Sequence, residues 1–442
     1  MSYLEQYDSI SEDQPEEKAK LVNHWIRTAD WQPFFKELRE NRPIFRIPGN
    51  IILVTLFDDV QEVLSRENIF SVKLYARAMD PTIGGAFMLA RDNTEINYRE
   101  KSIMKTMLQW EDLPVVRKMS GEIAKASLDK WAETGRIEVV SQLGRYVTVR
   151  ICGEYFGFPG PDLESMYRWS RATQSDMFKN LGGRDRVVHE ASVQAGKEMT
   201  TYLAQLLQEK KARIAQETGS SDLNKLSLGE HRPSTISEDV FTRLIKTHFP
   251  QEIDAHFDEQ RIISNMAGLL IGSVETISQA VVQVIEQILL HPNILQAALQ
   301  AAEANDDRKF AQYVWEALRF NPINPLVFRL CEEDYTLASG TSRATQIPQQ
   351  SIVFACTASA MFDATELVEP ETFSLDRPNY HYMHFGYGHH TCLGQYVGMV
   401  EIPEIVKQVI LRPGVRLIPG EEGKVDFQGG PFPERFVIAY ER

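Results

Sequence analysis

Residues His381 to Gln395 read HYMHFGYGHHTCLGQ, four histidines and a cysteine in one short run. Imidazole nitrogen and thiolate are ligands for transition metals, so the chemistry to expect here is metal binding. One arrangement is a cage in which His381, His384, His389 or His390, and Cys392 together hold zinc. Structural zinc sites usually present cysteines in pairs two to four residues apart. The other cysteines, at 152, 331 and 356, leave Cys392 without such a partner.

In the second arrangement Cys392 alone binds metal, as the thiolate ligand of a heme iron, and its neighbours shape the loop. The pattern is Phe385-Gly386-x-Gly388-x-His390-x-Cys392-x-Gly394. Glycines let the backbone turn tightly against a flat macrocycle. Backbone N–H groups aimed at the sulfur tune its electron donation. Phe385 shields the sulfur from water, and His390 offers a hydrogen bond to a heme propionate. Six fixed positions recur by chance on the order of once in a million such sequences. On these residues the chain resembles the cytochrome P-450 family of heme-thiolate enzymes. The resemblance implies heme b with its iron on Cys392, the remaining histidines being incidental; the residues alone leave the zinc cage open.

Upstream, WEALRF gives Glu316 and Arg319 just before NPINPLVFR. At this spacing the two ordinarily form a surface ion pair; the resemblance makes them a fold-stabilising pair without a catalytic part. It also places Arg329 where a guanidinium reaches a propionate. Residues 257–290 are apolar all round over their middle, which predicts a long buried helix; the resemblance implies that it lies over the heme. Asp258 and Glu259 suit its positive end. Inside it stand Glu275 and Thr276. A carboxylate among apolar residues costs several kcal/mol unless paired, protonated or hydrated, which suggests use. By resemblance, Thr276 and ordered water deliver protons to iron-bound dioxygen, with Glu275 feeding that relay.

The chain departs from the family at several positions. Gly272-Ser273 stand where Ala-Gly is common, and Met361-Phe362 where Asn-Arg is common before Asp363. NTEINYREKSIMK lacks the usual His-x-x-x-Arg pair for the propionates, leaving Arg99 and Lys101 as substitutes. These differences point to an uncommon branch of the soluble, bacterial type.

Family topology nominates Phe87 and Met88, Met177 and Phe178 as substrate-pocket residues. It adds Leu269, Gly272 and Ser273 from the long helix, and Val327, Phe328 and Phe432 from the C-terminal third. Most are apolar or aromatic, so the expected substrate is an apolar or aromatic small molecule, in secondary metabolism. Hydroxylation, epoxidation and oxidative coupling share one oxidant. The resemblance implies ferredoxin and ferredoxin reductase as separate electron donors. Two other readings stand beside this one: a peroxide-using or hydroperoxide-rearranging member, and a non-catalytic heme sensor.

Charge and composition narrow the classes further. The net charge is −14 over 442 residues, with no basic cluster, which argues against nucleic acid. The acidic N-terminus does not resemble a signal peptide, and the apolar run MAGLLIGSV stops at Glu275, short of a membrane span. A cytoplasmic protein follows as the expectation. Residues 43–66 predict two strands joined by a Pro-Gly turn, then a helix opening at Asp58-Asp59. Residues 68–94 read as a long functional loop. Helical periodicity dominates 98–215, residues 216–238 read as a mobile loop, and short strands such as QSIVFACT and RFVIAYER close the chain. The expected fold is mainly α with small β-sheets (α+β), one heme domain over 1–442 with 1–40 as an N-terminal segment.

Overall fold

The segment RIPGNIILV forms an antiparallel hairpin of strands Ile44–Ile47 and Ile51–Val54. Its turn is made by Gly49 and Asn50, both left-handed at φ 87° and 57°. The computed structural model describes residues 1–28, 30–92, 94–180, 184–218, 238–247 and 256–441. The loop expected at 216–238 falls almost wholly outside them. Contacts divide the chain into two compact units, Met1–Leu74 with Leu89–Thr94 and Pro322–Cys392, and Tyr75–Met88 with Glu95–Asn321 and Leu393–Arg442. As expected, the chain is mainly helical with small sheets, 61% helix.

In the first unit the hairpin extends into a five-stranded sheet. Ile51–Val54 runs parallel to Ile352–Ala355, which pairs antiparallel with Val327–Cys331, and Phe70–Ser71 closes the edge. This register sets Arg329 opposite Val353. The helix Phe57–Ser65 follows the hairpin with Asp58 and Asp59 in its first turn, where acidic side chains suit the helix dipole. The N-terminal segment is three helices, Tyr3–Ser9, Pro15–Arg27 and Trp31–Asn41, held by the fully buried Phe34, Phe35 and Leu38. Met361 and Phe362 belong to this unit's core. Met361 sulfur accepts the Met383 N–H at 3.2 Å, and Phe362 meets Trp31 edge-on at 5.9 Å. Apolar packing thus takes the place of the family's usual polar pair.

The second unit is built on the helix Glu259–Leu289, about 46 Å long at the usual rise per residue. Asp258 caps it, its side chain accepting the Arg261 N–H at 3.0 Å. Its most apolar window is long enough to cross a membrane but is 78% buried within the protein. Helices Arg145–Glu154, Leu163–Gln174, Arg186–Thr218, Asp307–Phe320 and Gln395–Ile410 pack against it.

The expected loop at 68–94 is instead broken into short elements, among them a helix Ala76–Ile83 and single turns at Lys73–Tyr75 and Met88–Ala90. Pro81 interrupts the hydrogen bonding of that helix, and packing compensates. Thr82 Oγ1 lies 2.9 Å from Ser192 Oγ, and the absent side chain of Gly196 lets the Thr82 carbonyl approach. Periodicity over so short a run, punctuated by Pro and two glycines, carries too little signal to reveal it.

Candidate active site

In the first unit, the loop around Cys392 is closed by its own backbone. The Cys392 N–H donates to the Phe385 carbonyl at 2.9 Å, and the Gly386 N–H to Met383 at 3.1 Å. Gly386 and Gly388 both have left-handed φ, 74° and 70°. A side chain at Gly388 would also overlap the Leu64 carbonyl. The turn leaves the Cys392 thiol exposed. Among the described residues no group of three or more His, Cys, Asp and Glu is placed to share a metal ion, so the four-ligand cage does not assemble. His384 instead stacks on Tyr382, centroids 5.3 Å apart.

His390 does not present an idle donor. Its Nε2 lies 3.0 Å from Asp92 Oδ1, and Asp92 also accepts the Val72 N–H. Burial pushes His390 below its ordinary imidazole value; the hydrogen bond with Asp92 opposes this and the nearby Arg329 adds to it. Arg329 is itself buried on its strand and donates to the Phe328 carbonyl at 2.9 Å. Val327 and Phe328 flank it, the latter 5.6 Å from Phe354. Sequence reasoning misses Asp92, because in RDNT it reads as a residue before a helix.

In the second unit, Glu275 departs from expectation. It is 2% exposed, and both oxygens are taken. Oε1 accepts Ser170 Oγ at 2.7 Å and Arg145 Nη2 at 2.8 Å; Oε2 accepts Arg171 Nε at 2.9 Å. It is a charge-paired tie between the long helix and helices Arg145–Glu154 and Leu163–Gln174, with Arg171 Nη2 also 2.8 Å from Oε2, and not the unpaired carboxylate that a relay was expected to use. Thr276 donates to the Gly272 carbonyl at 2.5 Å. Gly272 is exposed in the middle of this mostly buried helix, and a Cβ there would meet nothing within 4 Å. Ser273 Oγ lies 3.4 Å from Cys152 Sγ. The helix runs unbroken past all of them.

The pocket candidates of this unit fall around the same helix. Phe87 is fully buried with its ring on Gly268, where a Cβ would come within 2.5 Å of Cζ. The Met88 carbonyl accepts Asn97 Nδ2 at 2.9 Å, and Leu269 is buried. Met177 and Phe178 sit in the π-turn Ser175–Lys179 that extends the helix bearing Arg171, and Phe178 packs against Tyr75. Phe432 lies beneath Arg171, 4.7 Å from ring centre to guanidinium carbon. Arg99 is engaged by Glu95, while Lys101 is buried in the same helix. Glu316 and Arg319 form a fully buried bidentate pair, Nε–Oε2 3.0 Å and Nη2–Oε1 2.7 Å, in keeping with a structural part.

Two further polar groups escape a reading of the sequence. Glu401 is fully buried with neither oxygen hydrogen-bonded, and burial raises its carboxyl to about 8. Glu100, Arg261 and Asn265 form a buried network at the start of the long helix. Neither lies in a motif, and only the fold shows that they are inside.

The donor set fits a heme. A single exposed thiol on a loop whose glycines carry no side chains suits an iron at the centre of a flat ring. The cationic Arg329 beside His390 suits the ring's acid groups. Comparison with known proteins agrees. A family model for cytochrome P-450 matches residues 24–430. The chain is 24% identical over 396 residues to mycinamicin IV hydroxylase/epoxidase of Micromonospora griseorubida, covering 87% of this chain and 88% of that one. It is 22% identical over 391 residues to a cyclomarin C epoxidase of Salinispora arenicola, covering 87% and 86%. The fold matches the crystal structure of CalO2 with a TM-score of 0.75 at 20% identity, over 94% of this chain and 98% of that one. Loop, thiol and matching model together place the chain in the cytochrome P-450 family of heme b-binding monooxygenases.

Proposed function

We propose that this enzyme activates dioxygen at a Cys392-ligated heme to oxidise an apolar or aromatic small molecule of secondary metabolism. The observation that carries this reading is the exposed thiol on the glycine loop, with the cationic Arg329 in the same unit. When bound, the heme supplies the redox chemistry of oxygen activation, driven by electron donation from the thiolate. Cys392 is assigned as its iron ligand and Arg329 as a partner of its propionates; His390, whose Nε2 is engaged by Asp92, is assigned to a propionate only through Nδ1. Arg99 and Lys101 stand as the substitutes for the missing His-x-x-x-Arg pair.

Thr276 is the proton-handling residue in this reading. Its hydroxyl is held by the Gly272 carbonyl one turn back, so its lone pairs remain for water beside the exposed Gly272. Glu275, locked by Arg145, Arg171 and Ser170, positions the helix that carries Thr276. Buried Phe87, Met88 and Leu269 provide the apolar wall for the substrate. The hydroxylase and epoxidase relatives support oxygen insertion into such a molecule. Separate ferredoxin and ferredoxin reductase supply electrons, in the cytoplasm.

The test is a carbon monoxide difference spectrum of the dithionite-reduced protein. The thiolate-type band is expected in the parent and lost in Cys392→Ser. A band at the position of a neutral or nitrogenous ligand sinks the reading. Turnover with hydroperoxide alone, unaffected by Thr276→Ala, would favour the peroxide-using alternative. A sixth protein ligand that no candidate substrate displaces would favour a sensor.

A further inference from the structure

Asn265, on the long helix, is 1% exposed. Its Nδ2 donates to Glu100 Oε2 at 2.9 Å and to the Arg261 carbonyl at 2.8 Å. The amide orientation follows from these partners, since the reverse would set its oxygen against a carboxylate and a carbonyl. The Oδ1 that faces the other way is buried and meets no donor. A buried acceptor left without a donor is costly, and such groups are rare in native folds.

The surroundings give that acceptor a use. Asn265, Gly268, Gly272 and Thr276 are spaced by three, four and four residues, so they line one face of the helix. Reading along this face, Thr276 stands at one end, Gly272 is open, Gly268 carries the Phe87 ring, and Asn265 lies one turn beyond. Eleven residues separate Asn265 from Thr276, about 16 Å along the axis. Arg261 holds the Ala86 carbonyl and both oxygens of Glu100. The segment carrying Phe87 is therefore anchored beside Asn265.

We propose that Asn265 Oδ1 is a substrate-recognition acceptor for a hydroxyl or N–H at the far end of an elongated apolar substrate, admitted when the Phe87 ring swings off Gly268. This rests on the monooxygenase reading and deepens it: the end oxidised lies beside Thr276, and the donor end is read about 16 Å away. Phe87 is the gate between the two, and Glu100 with Arg261 are positioning residues that keep the amide oxygen turned to the substrate face.

The test uses the full-length, heme-loaded protein and reads binding by the Soret shift, with dodecanol and its methyl ether as probes. The two span a similar length and differ at the terminus in the hydrogen-bond donor. Dodecanol is expected to bind about tenfold more tightly, the factor that one hydrogen bond contributes. Asn265→Leu is expected to bring the two together by weakening the alcohol alone. Phe87→Trp, which leaves Asn265 untouched and blocks the path, is expected to abolish the preference as well; this arm serves if Asn265→Leu does not fold. Equal binding in the parent overturns the proposal, as does a preference that survives Asn265→Leu or a complex structure with only water on Oδ1. A parent without the thiolate-type carbon monoxide band would instead sink the functional reading beneath it.

Discussion

Glu275 and Arg171, 104 residues apart in the chain, meet through Oε2 and Nε at 2.9 Å inside the second unit. Arg171 also reaches Glu434 and covers the ring of Phe432. One buried carboxylate therefore fixes the long helix, the helix Leu163–Gln174 and a stretch near the C-terminus together.

Removing that carboxylate takes the charge partner from Arg145 and leaves Arg171 with Glu434 alone. Glu275→Ala is expected to destabilise the protein by about 3 kcal/mol, at the lower end for a broken buried pair because Arg145 and Arg171 keep some contact with solvent. Urea unfolding followed by circular dichroism measures it. A loss below about 0.5 kcal/mol, the level of a surface pair, would show that the tie does not hold in solution.

The two loop glycines should respond differently to alanine. At Gly386 the substitution meets only the strain of a left-handed φ, as the nearest atom to a Cβ is 3.8 Å away. A cost of about 1 kcal/mol with heme retained is expected. At Gly388 the new methyl would also collide with the Leu64 carbonyl, so that variant should lose heme. Heme content per folded chain after purification compares the two, and equal retention contradicts the assigned loop geometry.

Glu401 predicts a pH dependence. Its carboxyl is raised in the folded state to about 8 by burial. Below the ordinary value of 4.5, which the unfolded chain keeps, both states hold the proton and the group is neutral in effect. As pH rises from there toward 8 the unfolded chain ionises and the folded one does not, so stability is progressively lost. Glu401→Gln should remove that slope and stabilise the protein near neutral pH by a few kcal/mol. Unfolding free energies of parent and variant that change in parallel between mildly acidic and mildly basic pH would overturn this.

The pair Glu316 and Arg319, both fully buried, should tolerate no single truncation. Glu316→Ala removes the carboxylate that pairs a buried guanidinium and is expected to cost about 3–5 kcal/mol. Thermal unfolding of the apoprotein reads this without reference to activity. A variant as stable as its parent would mean the arginine finds another partner.

Sequence determined the broad fold and, through the resemblance carried by the cysteine loop, the family; the residues by themselves left a zinc cage open beside the heme. The loop before Cys392 is legible because its demands are local: left-handed φ at Gly386 and Gly388, and a cysteine two residues after His390. The long helix is legible because its apolar period runs uninterrupted. The hairpin at 44–54 announces itself through its Pro-Gly turn. What tertiary structure decided is which polar groups are already spent. Glu275 looks available in the sequence because its partners, Ser170 and Arg171, lie on another helix and make an unremarkable pattern there. His390 looks like an idle donor because Asp92 is 298 residues away. The buried oxygens of Glu401 and the amide oxygen of Asn265 carry no signal in the chain. A side chain's hydrogen-bonding state depends on what folding brings next to it, and spacing along one element cannot report that.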